Sequence, residues 1–481
     1  MNNGMSIKKA AILMGIAKYT NVITTLLFSA ILARLLTPSD YGIMAVTTVF
    51  TSFFALLTDM GIGTGVIQNK SLTKEEISHI FNITFYFGIV LGIVFCLFGY
   101  PMSLFYRNSV YISICCILSL SLIFNALNMI PNAVLMKEQE FSKVTVRNII
   151  VPIITNIIAV VLAFMGFKYY ALAIQSVIAA FITFLWNYQT VRKIQPLRLT
   201  TKINFTGFNK IRSYSGYQFS FSIVNYFSRN LDNLLTSKFL GETLLGYYDK
   251  AYKLMLYPLN MLTSVITPVL HPILSQYQND TMYIYDQYIK ILKILSLCGM
   301  FIVPFCFVSS YEIIYIMFGE NWLPAVPCFQ ALSLSVWCQL LTSSTGAIFQ
   351  STNNTKLMLK SALINTAITV IAILVGISTG KIENMALGVS FAYIINYLIT
   401  FGILMKYVFK LSFFSFNKVL MFDFIYMIFI LMAVCLITKF IVISNVFLSI
   451  IMKGSLVLLF YVVYLLISKK YKIFLNLIRR K

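Results

Sequence analysis

Charge is scarce in this chain of 481 residues: 11% are Asp, Glu, Lys or Arg, and only 15 are acidic. So little polar surface excludes a soluble globular protein, which would alternate apolar and polar faces and carry long polar loops. Histidine is reduced to His79 and His271, which leaves no His-rich metal centre. The eight cysteines (Cys96, Cys115, Cys116, Cys298, Cys306, Cys328, Cys338 and Cys435) lie within or at the edge of apolar stretches, and none forms a CxxC. They read as small helix-packing residues, not as a disulfide framework or a metal site. Paired carboxylates, a nucleophile motif and a phosphate-cradling glycine loop are all missing, so no catalytic residue, metal or cofactor is expected. Without a nucleotide-binding motif, any transport must draw on an ion gradient, the membrane potential or a substrate gradient.

What the chain has is hydrophobic residues, 59% of the total. They form about 14 stretches of roughly 20 residues or more, each long enough to cross a bilayer. These lie near 11–33, 42–67, 80–100, 110–136, 148–167, 171–191, 214–240, 247–272, 289–309, 324–350, 357–379, 385–408, 421–441 and 447–468. The expected fold class is therefore an all-α membrane protein with about 14 transmembrane helices. An even count puts both termini on one side. With that side cytoplasmic, about 26 of the 37 basic residues face the cytoplasm, Arg147 among them, as the positive-inside rule requires. The net charge of +22 then reflects short juxtamembrane loops beside lipid headgroups, and no nucleic-acid partner is expected. The first stretch has no small-residue cleavage site, so no signal peptide is needed.

The chain repeats. Ala33 to Gly42 closes the first stretch and opens the second; about 204 residues later Ser237 to Gly246 does the same for the seventh and eighth. A basic residue (Arg34, Lys238) ends one helix and a glycine (Gly42, Gly246) begins the next. Tyr100 to Tyr106 is echoed by Tyr311 to Gly319, and Asn132 to Leu135 by Gly346 to Phe349. The expected organisation is a six-helix bundle with its basic linker over 1–213, a second bundle over 214–408, and two extra helices with a basic tail over 409–481. Six spans per copy give both copies the same orientation, with a substrate cleft between them.

The segment Leu32-Ala33-Arg34-Leu35-Leu36-Thr37-Pro38-Ser39-Asp40-Tyr41-Gly42, followed by Asp59-Met60-Gly61-Ile62-Gly63 and Ile67-Gln68, resembles bacterial polysaccharide repeat-unit flippases. So do Arg229 to Leu235, Leu245 to Tyr252 and Phe318 to Ala325. These flippases belong to the multidrug/oligosaccharidyl-lipid/polysaccharide export superfamily; the likeness is to its colanic-acid and exopolysaccharide exporter branch. It covers spans one to twelve, while the last two match in hydropathy only. It implies a V-shaped transporter that turns an undecaprenyl-pyrophosphate-linked oligosaccharide from the cytoplasmic to the outer leaflet of the bacterial inner membrane. The lipid bilayer, that polyprenyl-linked substrate and, as candidate partners, a polysaccharide polymerase and a chain-length regulator follow from the same likeness.

Ionisable residues inside the bilayer cost about 2.5–3.5 kcal/mol on insertion scales, so they face a cavity or a partner. Lys18 and Asn21 share a face of the first span, and Asn225, Arg229, Asp232 and Thr236 form a stripe along the seventh. Lys18, Asn21, Asn225, Arg229 and Asp232 are the expected substrate-binding residues: a guanidinium and an ammonium suit a pyrophosphate. The bland alternatives are an Arg229–Asp232 pair that neutralises itself and a Lys18 that snorkels to the surface. Arg34, Asp40, Lys238, Asp249, Lys250 and Lys253 sit where an outer gate of ion pairs could close, although Asp249 and Lys253, four apart, can equally pair with each other. Asp59 is a candidate ion-coupling carboxylate. A drug or cation exporter of the same superfamily is the nearer alternative function, and it would need acidic groups facing the cleft. A membrane polysaccharide polymerase or ligase is the more distant one, and it would need a larger outer loop than any here.

Overall fold

The structure, a computed structural model, describes residues 7–59, 62–69, 71–195, 197, 205, 208, 226, 230–278, 280–441 and 443–473. The described residues are helical or in short connections, with no strand. The helices are α1 (Ile7–Leu35), α2 (Pro38–Asp59), α3 (Ile62–Gln68), α4 (Lys74–Tyr106), α5 (Val110–Lys137), α6 (Phe141–Phe164) and α7 (Tyr169–Arg192). After a helical segment over 230–240 come α8 (Glu242–Leu274), α9 (Thr281–Val308), α10 (Ser310–Phe318), α11 (Val326–Ser333), α12 (Val336–Thr342) and α13 (Thr345–Ser351). The chain closes with α14 (Thr355–Ser378), α15 (Ile382–Ile403), α16 (Phe413–Phe440) and α17 (Val446–Ile467).

Among the described residues ten helices are long and apolar enough to span a membrane, or eleven if one bent pair is a single span. Those eleven fall on expected spans. Of the other three, α1 and α8 are helical across the first and eighth, and the seventh lies largely outside the described residues. The bent pair, Glu320–Ser333 with Val336–Ser351, turns by 50° within the span expected over 324–350. Local chemistry accounts for the bend. The hydroxyls of Ser333 and Ser335, at the break, bond back to the carbonyls of Gln330 and Leu332 at 2.7 Å, competing with the helical ladder.

Two compact units divide the chain, residues 1–246 and 247–481. The first is organised around α5, which packs along α4 and α7 and also meets α2 and α3, while α1 lies on α6. Its helix starts are well specified. Thr73 and Glu76 form a capping box at α4. At α2 the Asp40 carboxylate accepts the backbone N–H of Thr37 at 2.8 Å and its hydroxyl at 2.7 Å, with Pro38 in the first helical position. The second unit centres on α9, which α11, α12, α16 and α17 surround.

The opening turns of α2 and α8 cross within the first unit. A Cβ on Gly42 would lie 1.8 Å from the carbonyl oxygen of Glu242, and one on Gly246 would lie 1.9 Å from that of Pro38. The sequence repeat thus reappears as a reciprocal contact, each glycine facing the residue that opens the other helix. The Glu242 carboxylate is held there by the Tyr111 hydroxyl at 2.7 Å and by the Asn108 amide.

Candidate functional site

The polar interior of the first unit is built on one face of α5. Ser121, Asn125, Asn128 and Asn132 recur at helical spacing, so they line up on one stripe. Around it lies a cavity of about 330 Å³ whose wall includes Thr58, Asn125, Asn128 and Asn132. Asn187, fully buried on α7, donates to the Asn128 side-chain oxygen at 2.7 Å. A second cavity of about 260 Å³ is lined by Asn21 of α1, by Arg147, Asn148 and Asn156 of α6, and by Gln175 and Thr183 of α7.

Arg147 lines the smaller cavity and bonds to Asn132, which lines the larger one. Its guanidinium donates to Asn132 at 3.0 Å through Nη1, and to Asn148 at 3.1 Å through Nε and 2.8 Å through Nη2. The residue is only 7% exposed. The charge count placed Arg147 in a juxtamembrane loop; the structure instead buries it in the second turn of α6. Its position just after the polar segment 137–140 hid it. The visible signal was the asparagine stripe on the neighbouring helix.

Of the expected substrate residues, Lys18, Asn21 and Asp232 are among those described. Asn21 is half-buried and lines the smaller cavity, whereas Lys18 is exposed on α1. Asp232 is buried and accepts the Asn233 backbone N–H at 2.9 Å. Asn225 and Arg229 lie outside the described residues, as does the side chain of Asp59, which ends α2.

Among the residues considered for an outer gate, Arg34 is exposed and Asp40 caps its own helix. Lys238 donates to the Phe105 carbonyl and sits 4.1 Å from the centre of that ring. Asp249 and Lys253 pair with each other at 2.7 Å. Lys250 is buried, its ammonium 5.1 Å from the Phe318 ring and 5.9 Å from Trp322. The segment around Trp322 thus supplies aromatic faces to a cation on α8.

Sequence reasoning passed over two buried acid–base clusters in the second unit. Glu312 accepts from Lys453 and from Ser449, both at 2.6 Å. Asp423, fully buried, accepts from Ser296 at 3.0 Å, from Tyr464 at 2.5 Å and from Lys470. Lys453 and Asp423 stand inside apolar spans, which was the available signal.

The profile of a family described as "Polysaccharide biosynthesis protein" matches residues 31–327. The chain belongs to that family. The matched region of this polysaccharide biosynthesis protein holds Arg147 and the asparagine stripe, and omits Lys18, Asn21 and the last two helices. The chain is 24% identical over 401 residues to the lipopolysaccharide biosynthesis protein WzxC of Escherichia coli, covering 81% of this chain and 80% of that one. It is 22% identical to the teichuronic acid biosynthesis protein TuaB of Bacillus subtilis, covering 80% and 79%. The fold is that of the lipid II flippase MurJ in its inward closed conformation: TM-score 0.73, 16% identity, 96% of this chain and 100% of that one. The chain is thus a multi-pass membrane protein of polysaccharide biosynthesis with a flippase fold.

Proposed function

We propose that this protein flips polyprenyl-pyrophosphate-linked oligosaccharide repeat units from the cytoplasmic to the outer leaflet of the bacterial inner membrane, by alternating access. One observation carries the reading: a member of a polysaccharide biosynthesis family takes the fold of a protein named for flipping a lipid-linked precursor. Physical chemistry states the need for such a protein. A charged diphosphate and a row of sugar hydroxyls lose their hydration in hydrocarbon, at a cost of several kcal/mol or more. A polar interior supplies substitute partners while the polyprenyl chain stays in lipid. The step makes and breaks no covalent bond, so the protein acts as a transporter and not as an enzyme. Both termini lie in the cytoplasm on this reading, which follows from the distribution of Lys and Arg. A polysaccharide polymerase and a chain-length regulator are its expected partners.

Lys18, Asn21, Asn225, Arg229 and Asp232 remain the proposed substrate contacts, with the charges around Arg34 and Lys238 as an outer gate and Asp59 as an ion-coupling group. Deleting the gene should stop surface polysaccharide and leave lipid-linked repeat units on the cytoplasmic side; a polymerase defect would instead leave single repeats outside. Arg229→Ala, expressed at the normal level, should fail to restore export. Restored export removes Arg229 from the site.

A further inference from the structure

We infer that Arg147 and the amide-lined cavity beside it form an anion site, built to take a phosphate or diphosphate within the N-terminal unit. The inference deepens the flippase reading and rests on it for the source of the anion, the headgroup of the lipid-linked substrate. Three observations lead there. The first is a buried charge with no counter-charge among the described residues. Among the described residues no carboxylate lies within 4.0 Å of the guanidinium, and its hydrogen-bond acceptors are the neutral amides of Asn132 and Asn148. Amide oxygens satisfy N–H groups but do not neutralise the ion, and an uncompensated buried charge is destabilising. A protein retains such a group where something else completes it.

The second observation is spare donor capacity. Three of the five guanidinium N–H groups are used in those bonds, which leaves donors to meet a ligand. The third is the space and its walls. The adjoining cavity of about 260 Å³ presents Asn21, Asn148, Asn156, Gln175 and Thr183, all able to donate hydrogen bonds, and its described lining includes no acidic residue. A cation would be repelled there. A neutral sugar would not require the charge. The two N–H groups left, one on Nη1 and one on Nη2, can each donate to a phosphate oxygen, and the amides can serve the remaining oxygens. A single cation backed by neutral donors binds an anion without trapping it, as a carrier requires.

The test uses the full-length protein in nanodiscs. Thermal melting is followed during titration with inorganic pyrophosphate, with a polyprenyl diphosphate, and with the matching polyprenyl alcohol. Both phosphorylated compounds should raise the melting temperature of the parent, and the alcohol should not. In Arg147→Gln the affinity should fall roughly 10- to 100-fold, as expected for losing charge-assisted hydrogen bonds. Without ligand, that variant should melt no lower than the parent, because a buried charge has gone. A purely structural role predicts the reverse, lower melting with protection intact. Should Arg147→Gln melt low, Arg147→Lys decides: a several-fold loss of affinity supports the site, and unchanged affinity overturns it. Protection by pyrophosphate but not by polyprenyl diphosphate supports the site and assigns it to a free anion. No protection of the parent by either compound overturns it, as does unchanged affinity in a stable Arg147→Gln. A parent that fails to flip lipid-linked oligosaccharide refutes the flippase reading; one that flips while Arg147→Gln binds normally refutes only the anion site.

Discussion

A methyl group at position 42 would press into the Glu242 carbonyl, and one at position 246 into that of Pro38. Both obstacles are backbone, which cannot rotate aside as a side chain can, so the helices would have to part. Overpacking of this kind costs about 1–3 kcal/mol, and more against a rigid backbone. Gly42→Val and Gly246→Val should each lower the melting temperature and membrane yield, while Gly402→Ala, with nothing within 4 Å of its added methyl, should change neither. Equal stability of all three would contradict the close crossing. The sequence marks both glycines as openers of repeated helices, yet the reason for them is invisible there, because each is required by a segment about 200 residues away. Arg147 shows the same gap: its neighbours along the chain suggest a loop, and only the packing of α6 against α5 puts it beside Asn132.

At the scale of elements, hydropathy places α16 and α17 well, but says nothing of what fastens them. The structure gives two buried clusters: Glu312 with Ser449 and Lys453 ties α17 to α10, while Asp423 with Ser296, Tyr464 and Lys470 ties α16 to α9 and to the end of α17. Lys453 is 16% exposed at its side chain and Glu312 is 5% exposed. Removing one member of a buried pair costs about 3–5 kcal/mol, because the other charge is stranded, whereas replacing both with apolar residues is near neutral. Lys453→Met should therefore lower the melting temperature sharply, and Glu312→Met/Lys453→Met should recover most of the loss. A double variant as unstable as the single would show that the pair is not what joins these helices. The bend between α11 and α12 also belongs to this scale. The serine hydroxyls that compete with ladder bonds there act through geometry that hydropathy averages away.

For the molecule as a whole, class and helix positions were readable because each rests on long stretches of sequence. A run of about 20 apolar residues signals a span whatever its neighbours do. The polar interior was readable only in fragments, because a cavity draws single residues from several helices; Asn21, Arg147 and Gln175 come from three. The central claim is movement of a lipid-linked oligosaccharide between leaflets. The most direct measurement reconstitutes the purified protein in vesicles that carry a fluorescent polyprenyl-pyrophosphate oligosaccharide, and follows how fast inner-leaflet headgroups become accessible to an external membrane-impermeant quencher. The account predicts rapid exposure that requires the protein and is slowed by Arg147→Gln, with a cationic dye left untransported. Exposure no faster than in protein-free vesicles, under an imposed ion gradient or membrane potential as well as without one, would contradict it.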